Sequence, residues 1–207
     1  MSSPVFAPLD QNRRLAVPGA RPYPWPYDGA ASPATTALVV VAAQRAVASH
    51  CSAASATWET ISVLATEMRQ WGARVVWTRH ARFPSTRRSS ILPAAHGPER
   101  GPAGRRPGDL VVLAYGVDAF SASPLAEALS GYGVSHLLVA GFGLEGPVHS
   151  TLRSANDRGW ECLLVSDGCA PLDVSLAGAA MSTVEMSGGI FGATASAEQV
   201  LAGTGGL

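Results

Sequence analysis

The residues best equipped for covalent chemistry are three thiols, Cys51, Cys162 and Cys169. A thiol attacks as its thiolate, so it needs a neighbouring base or positive charge. Cys51 follows His50 directly, but adjacent residues seldom form a nucleophile–base pair, and a surface-loop position fits better. Cys162 sits in an apolar run and reads as a buried structural thiol. Three scattered cysteines make neither a disulfide framework nor a zinc site, which fits reduced thiols. The positive charges are all arginine, fifteen of them balanced by fifteen acids, and the chain contains no lysine. Arg79, Arg82, Arg87, Arg88, Arg100, Arg105 and Arg106 stand against a single acid, Glu99. With its prolines and glycines this stretch reads as a solvated loop. The sharper alternative is a cationic lid over an anionic ligand, since arginine matches carboxylate and phosphate.

Those groups need a framework, and the hydrophobic pattern supplies one. Residues 1–34 read as an irregular arm, because Pro18, Pro22, Pro24 and Pro26 block helix and central strand. Tyr23, Trp25 and Tyr27 are expected to pin that arm to a surface. Residues 35–207 alternate between strands and helices and are expected to form one α/β domain. Ala37–Ala42 is a continuous apolar run suited to a strand buried on both faces. A helix through about Gln70, capped by Ser55 or Thr57, places Ile61, Leu64, Ala65 and Met68 on one face and ends at Gly72. Further strands are expected at 73–77, 110–113, 135–140 and 160–165. Helices are expected at 124–129, 146–158 and 173–186, with a short strand or turn at 188–192. Such alternation specifies a three-layer α/β/α sandwich around a mainly parallel, doubly wound sheet. Ligands of such sheets bind beyond the carboxyl ends of the strands.

At the fourth and fifth strands, His136 to Asp167 resembles the nucleophile segment of isochorismatase-like cysteine hydrolases. The run Ala155-Asn-Asp-Arg-Gly159 is the most specific part. Pro24-Trp-Pro-Tyr-Asp-Gly29 and Gly188-Gly-Ile-Phe-Gly192 extend the likeness, most closely to the biuret and ureidoacrylate amidohydrolase branch. The family fold implied is the same sandwich. The activity implied is amide cleavage by an aspartate, a lysine and a cysteine. At the matching positions this sequence has Ala42, Ala114 and Pro147, within flanking motifs that are otherwise kept. Proline is tolerated in the first turn of a helix, so the fold survives there. The expectation is therefore a member that does not hydrolyse amides by the family mechanism.

Other polar groups remain near those positions. Glu145, His149 and Tyr115 are the candidate acid–base residues, since a titratable group among apolar neighbours can have a shifted pKa. Ala42, Gln44, Trp77, His80, Ala114, Asp118, Phe120, Leu144 and Pro147 are the expected lining of a substrate pocket. Cys169, Asp157 and Asp167 fall in family motifs and read as structural. The Asp and two His of the nicotinamidase branch's metal site are not recognisable, so no metal is expected. No Gly-x-Gly-x-x-Gly opens a helix after the first strand and no P-loop is present, so no cofactor is expected either. Zero net charge gives no field for nucleic acid. No apolar run approaches roughly 20 residues, and Met1–Pro8 is no secretory signal. The partners expected are a small-molecule ligand and, from the resemblance, further copies in a homodimer or homotetramer, in the cytoplasm. The leading expectation is an enzyme repurposed for cyclisation, isomerisation or dehydration in bacterial specialised metabolism, with an enlarged apolar cavity. The alternative is a non-catalytic subunit that binds a ligand or serves as structure.

Overall fold

The computed structural model describes residues 12–85, 91–94 and 104–205. Its centre is the strand β3 (Thr36–Val41), every residue of which is buried. An unbroken β-branched and aliphatic run has no polar face to offer water, so it takes the middle of a sheet covered on both sides. Around it the six parallel strands run in the order β5 (Leu110–Tyr115), β4 (Arg74–Ala81), β3, β6 (His136–Phe142), β7 (Glu161–Ala170) and β8 (Ala193–Ala195). A short helix, α1 (Arg45–Ala48), follows β3. The longer α2 (Ala54–Trp71) returns the chain to β4 and buries Ile61, Leu64, Ala65 and Met68, the face its periodicity predicts. Gly72 ends it in the left-handed conformation, with φ 97°. No side chain caps its start, however. Ala53 holds the N-cap position and Thr57 is buried in the first turn, so neither Ser55 nor Thr57 serves as the cap.

The remaining helices are α3 (Leu125–Gly131), α4 (His149–Asp157), α5 (Val174–Gly189) and α6 (Ala197–Gly203). Helix α6 packs with α2 against β7, while α4 and α5 lie with β7 and β8. The chain steps one way from β3 through β4 to β5 and the other way from β6 through β7 to β8, so right-handed crossovers put helices on both faces. The result is the doubly wound α/β arrangement that the alternation predicts.

Three local differences matter. Residues Leu15–Ala16 (β1) and Asp28–Ala31 (β2) pair antiparallel, so the arm is not irregular throughout. Its anchor is Tyr27, fully buried, whose hydroxyl lies 2.7 and 2.8 Å from the carbonyls of Leu137 and Glu161. Strand β4 runs four residues past Trp77, drawing Thr78 and His80 into the sheet. Strand β8 and helix α6 were not anticipated from the sequence. Gly188 and Gly189 finish α5 instead of forming a strand.

Candidate functional site

The strand order reverses between β3 and β6, and crevices in open parallel sheets lie at the carboxyl end of such a reversal. Both strands end there in unusual backbone. Gly141 brings β6 so close to β3 that a Cβ on it would lie 2.1 Å from the Val41 carbonyl oxygen. Ala42, just past β3, adopts φ 50°, a left-handed conformation rare for alanine. Its amide donates to Thr78 Oγ1 at 3.1 Å, and the next amide, of Ala43, donates to the Thr78 carbonyl at 2.9 Å. Thr78 thus fixes the corner that follows β3.

On the β6 side the chain turns at Gly143 (φ 77°) into one wide π-helical turn, Leu144–Val148, before α4 begins. The Val148 amide closes it onto the Gly143 carbonyl at 3.1 Å. Pro147 has no amide hydrogen to place, so it fits inside this turn with its ring over Gly143, where a Cβ would be 2.7 Å from Pro147 Cδ. The third position, Ala114, lies in β5 and is fully buried, as is Ala42. The three positions singled out by the sequence are hydrocarbon, at strand ends and in the turn after β6.

His80 is the principal polar group between them, and it is wholly enclosed. Its Nδ1 lies 3.0 Å from the Gly116 carbonyl, which can only accept, so Nδ1 carries the hydrogen. Nε2 must then accept from the Thr78 hydroxyl 2.9 Å away, whose oxygen in turn accepts the Ala42 amide. The His80 amide donates to Gln44 Oε1. Burial pushes the imidazole down to about 4, against smaller opposing contributions from the Gly116 carbonyl and the Asp118 charge. His80 is therefore neutral at pH 7 and joins β3, β4 and the loop after β5. Gln44 belongs to the same buried joint.

The candidate acid–base residues are placed less freely than the sequence implies. Glu145 accepts the amides of Leu172 and Asp173, at 3.1 and 2.5 Å, so both oxygens hold the chain leading into α5. His149, at the start of α4, faces the Phe191 ring with centroids 6.3 Å apart. Burial and the neighbouring Arg153 both lower its pKa. Tyr115 is half-buried against Phe83, ring centroids 5.7 Å apart. Asp118 accepts the Phe120 amide at 2.9 Å and so stiffens its own loop. Leu144 is buried within the π turn.

Two expected lining residues turn elsewhere. The Trp77 indole donates to Asp109 Oδ2 at 2.8 Å, at the amino end of β5 and away from the crevice. Strand alternation explains this: Thr78 and His80 take one face of β4, so Trp77 takes the other. Phe120 stacks on Trp160, centroids 5.2 Å apart, and Trp160 Nε1 in turn donates to the Val134 carbonyl just before β6. Asp109 and Thr78 were not singled out from the sequence. Asp109 carries a bidentate Arg69 pair (2.9 and 2.6 Å) plus the Arg106 amide at 2.8 Å. Burial would raise its carboxyl, but these donors together hold it below the ordinary value. Only the lone acid just ahead of an apolar strand marked it in the sequence.

Of the thiols, Cys51 is the half-buried one, beside Gly143 and Glu145. Burial pushes it up to about 11, the Gly143 backbone opposes this and the Glu145 charge adds to it, so it is a thiol at neutral pH. Cys162 and Cys169 are raised further by burial in β7. Among the described residues, no three His, Cys, Asp or Glu side chains converge as a metal site. A cleft of about 730 Å³ lies away from the crevice, between α2 and α6, lined by Glu59, Val63, Glu67, Glu198 and Leu201 among others. None of the expected site residues borders it. Half of the arginine-rich stretch, residues 86–90 and 95–103 with Arg87, Arg88 and Arg100, lies outside the described residues, and with it the middle of the expected lid.

The Isochorismatase domain model matches residues 36–199. A cysteine hydrolase from Pseudomonas syringae pv. phaseolicola superposes with a TM-score of 0.75 at 17% identity, over 84% of this chain and 94% of that one. An isochorismatase family protein from Burkholderia thailandensis gives 0.71 at 20%, over 83% and 96%. A nicotinamidase from Staphylococcus aureus gives 0.62 at 15%, over 78% and 98%.

Proposed function

The chain belongs to the isochorismatase family, and we propose that within it this protein performs no cysteine-dependent hydrolysis and acts as a non-catalytic subunit. The carrying observation is Pro147 packed over Gly143 where the resemblance to the biuret and ureidoacrylate branch implies a nucleophile. Ala42 and Ala114 stand where that resemblance implies an aspartate and a lysine. Amide cleavage by that route needs a thiolate and a partner to receive its proton. Here the half-buried Cys51 thiol beside Gly143 is protonated, and the buried His80 imidazole is held on both nitrogens. Glu145 is committed to two backbone amides, which removes the nearest carboxylate from acid–base work.

A second reading, an enzyme repurposed for a non-hydrolytic step on a small molecule, rests on a different observation. Ala42 keeps a left-handed backbone without the side chain that would use it, and such strain gathers at functional sites. Tyr115 and His149 are also only half-buried. One experiment separates the readings. The purified chain is incubated with a panel of linear amides, ureido acids and a bacterial metabolite extract, and products are followed by mass spectrometry. The first reading expects no turnover and no covalent adduct. Amide hydrolysis that disappears on Cys51→Ala would overturn it. Non-hydrolytic turnover lost in Tyr115→Phe or His149→Ala would replace it with the second.

A further inference from the structure

The cleft between α2 and α6 is a cavity of ligand size that the crevice does not use. Its volume of about 730 Å³ falls within the roughly 300–1,000 Å³ of small-molecule sites. The carboxylates of Glu59, Glu67, Asp167 and Glu198 line it, and no basic side chain does. Two of these acids have local work. Asp167 Oδ1 accepts the Ala197 amide at 2.7 Å, and Glu198 sits in the first turn of α6, where an acid suits the helix dipole. Glu59 and Glu67 have none. Among the described residues neither carboxylate meets an ion-pairing or hydrogen-bonding group, and Glu67 Oε2 is also shut off from solvent. A carboxylate oxygen enclosed without a donor costs free energy until a donor reaches it.

The spacing of these groups describes what would satisfy them. Glu59, Val63 and Glu67 follow one another at intervals of four residues, so they form a single stripe along α2. The two carboxylates are just over two turns apart, about 12 Å along the axis, with Val63 midway. Val63 is 52% exposed, and Leu201 of α6 adds a second apolar wall. Acid, hydrocarbon, acid is the complement of ammonium, methylene chain, ammonium. A bare metal ion would gain nothing from Val63 and Leu201, and a neutral hydrocarbon nothing from the carboxylates.

We propose that this cleft binds an aliphatic polyamine, lying lengthwise with its ammonium groups at Glu59 and Glu67 and its methylenes over Val63 and Leu201. An ammonium brings donors and no acceptor, which is what an acid-lined cleft lacks. The chain as a whole balances fifteen acids with fifteen arginines, so no global field draws cations and the attraction belongs to the cleft. It fades beyond a Debye length, roughly 10 Å in 0.1 M salt. None of the residues expected at the crevice borders the cleft, so the inference holds whether or not the crevice is catalytic.

Isothermal titration of the full chain with spermidine tests it. One molecule per chain is expected to bind at low salt, with a Kd of about 100 µM or tighter. Glu59→Gln and Glu67→Gln should each raise that Kd about fivefold or more, and the two together should abolish binding. Glu59 is exposed, so its variant keeps the test open even where Glu67→Gln disturbs the fold. Glu127→Gln removes the same charge from an exposed position on α3 and should leave the Kd unchanged. Hexaamminecobalt carries the charge of spermidine without its methylenes, and should bind at least about tenfold more weakly. Failure of spermidine to bind overturns the proposal, as does a Kd that Glu59→Gln and Glu67→Gln leave unmoved. Equal binding of hexaamminecobalt would reduce the cleft to diffuse counter-ion attraction and overturn it too. So would a lysine-rich peptide that occupies the cleft where spermidine does not, which would assign it to a protein partner.

Discussion

The two ends of the parallel sheet spend polarity in opposite ways. At the amino end of β5, Asp109 gathers the Arg69 guanidinium, the Trp77 indole and the Arg106 amide. At the carboxyl ends, where α/β folds normally concentrate chemistry, the corresponding places hold Ala42, Ala114 and Pro147. The buried polar group among them is a neutral imidazole tied to a threonine, a glutamine and a carbonyl. An ion pair that is only 17% and 5% exposed at its side chains serves cohesion. An uncharged joint at the other end serves the same purpose without desolvating a charge. One sheet thus carries an ion-paired joint at one end and a neutral buried joint at the other.

The harshest way to break the carboxyl end is Gly141→Ala. Its Cβ would meet the Val41 carbonyl oxygen at 2.1 Å in a backbone with φ 144°. Urea unfolding should show a loss of about 4 kcal/mol or more, or no folded protein. At the amino end, Asp109→Ala strands Arg69 and the Trp77 indole, and the same measurement should show a loss of about 3 kcal/mol. A comparable loss from a crevice residue of equal burial, Ala114→Ser, would erase the contrast between the ends.

The neutral joint predicts its own pH dependence. His80 titrates at about 4 when folded, against an ordinary 6.5. The folded value is the lower one, so the unfolded chain takes up the proton first as pH falls. The contribution of neutral His80 is complete above about pH 6.5 and drains as pH falls towards 4, at a cost on the order of 3 kcal/mol. His136 and His149 are shifted in the same direction and add to the trend. Chemical denaturation from pH 7 to 4 should show the loss, with a shallower slope in His80→Asn.

The smallest effect sharpens the comparison most. Pro147→Cys should change stability by only about 1 kcal/mol, since proline contributes no hydrogen bond there. Its thiol should alkylate with iodoacetamide slowly at pH 7, as an ordinary thiol does. Adding Ala42→Asp and Ala114→Lys should shift the alkylation rate profile to lower pH. An unchanged profile in the triple variant would mean that the corner can no longer hold charged side chains together.

Much of this was written locally. The β3 run, the buried face of α2, its stop at Gly72 and the strand–helix alternation follow from periodicity and backbone preference, and they specify the doubly wound sheet. So do the side chains at 42, 114 and 147, which are apolar wherever the chain puts them. Tertiary structure decided how the neighbouring polar groups are used. His80 is neutral because Gly116, 36 residues away, accepts its hydrogen in a dry interior. Glu145 is committed by amides 27 and 28 residues on. Trp77 faces Asp109 because β4 runs on to Ala81 and fixes which side each residue takes. Helix α5, apolar on every side, carries no stripe in its sequence to say which face turns outward. Only its packing against β8 and the turn after β6 leaves Val174, Ser182 and Met186 at the surface.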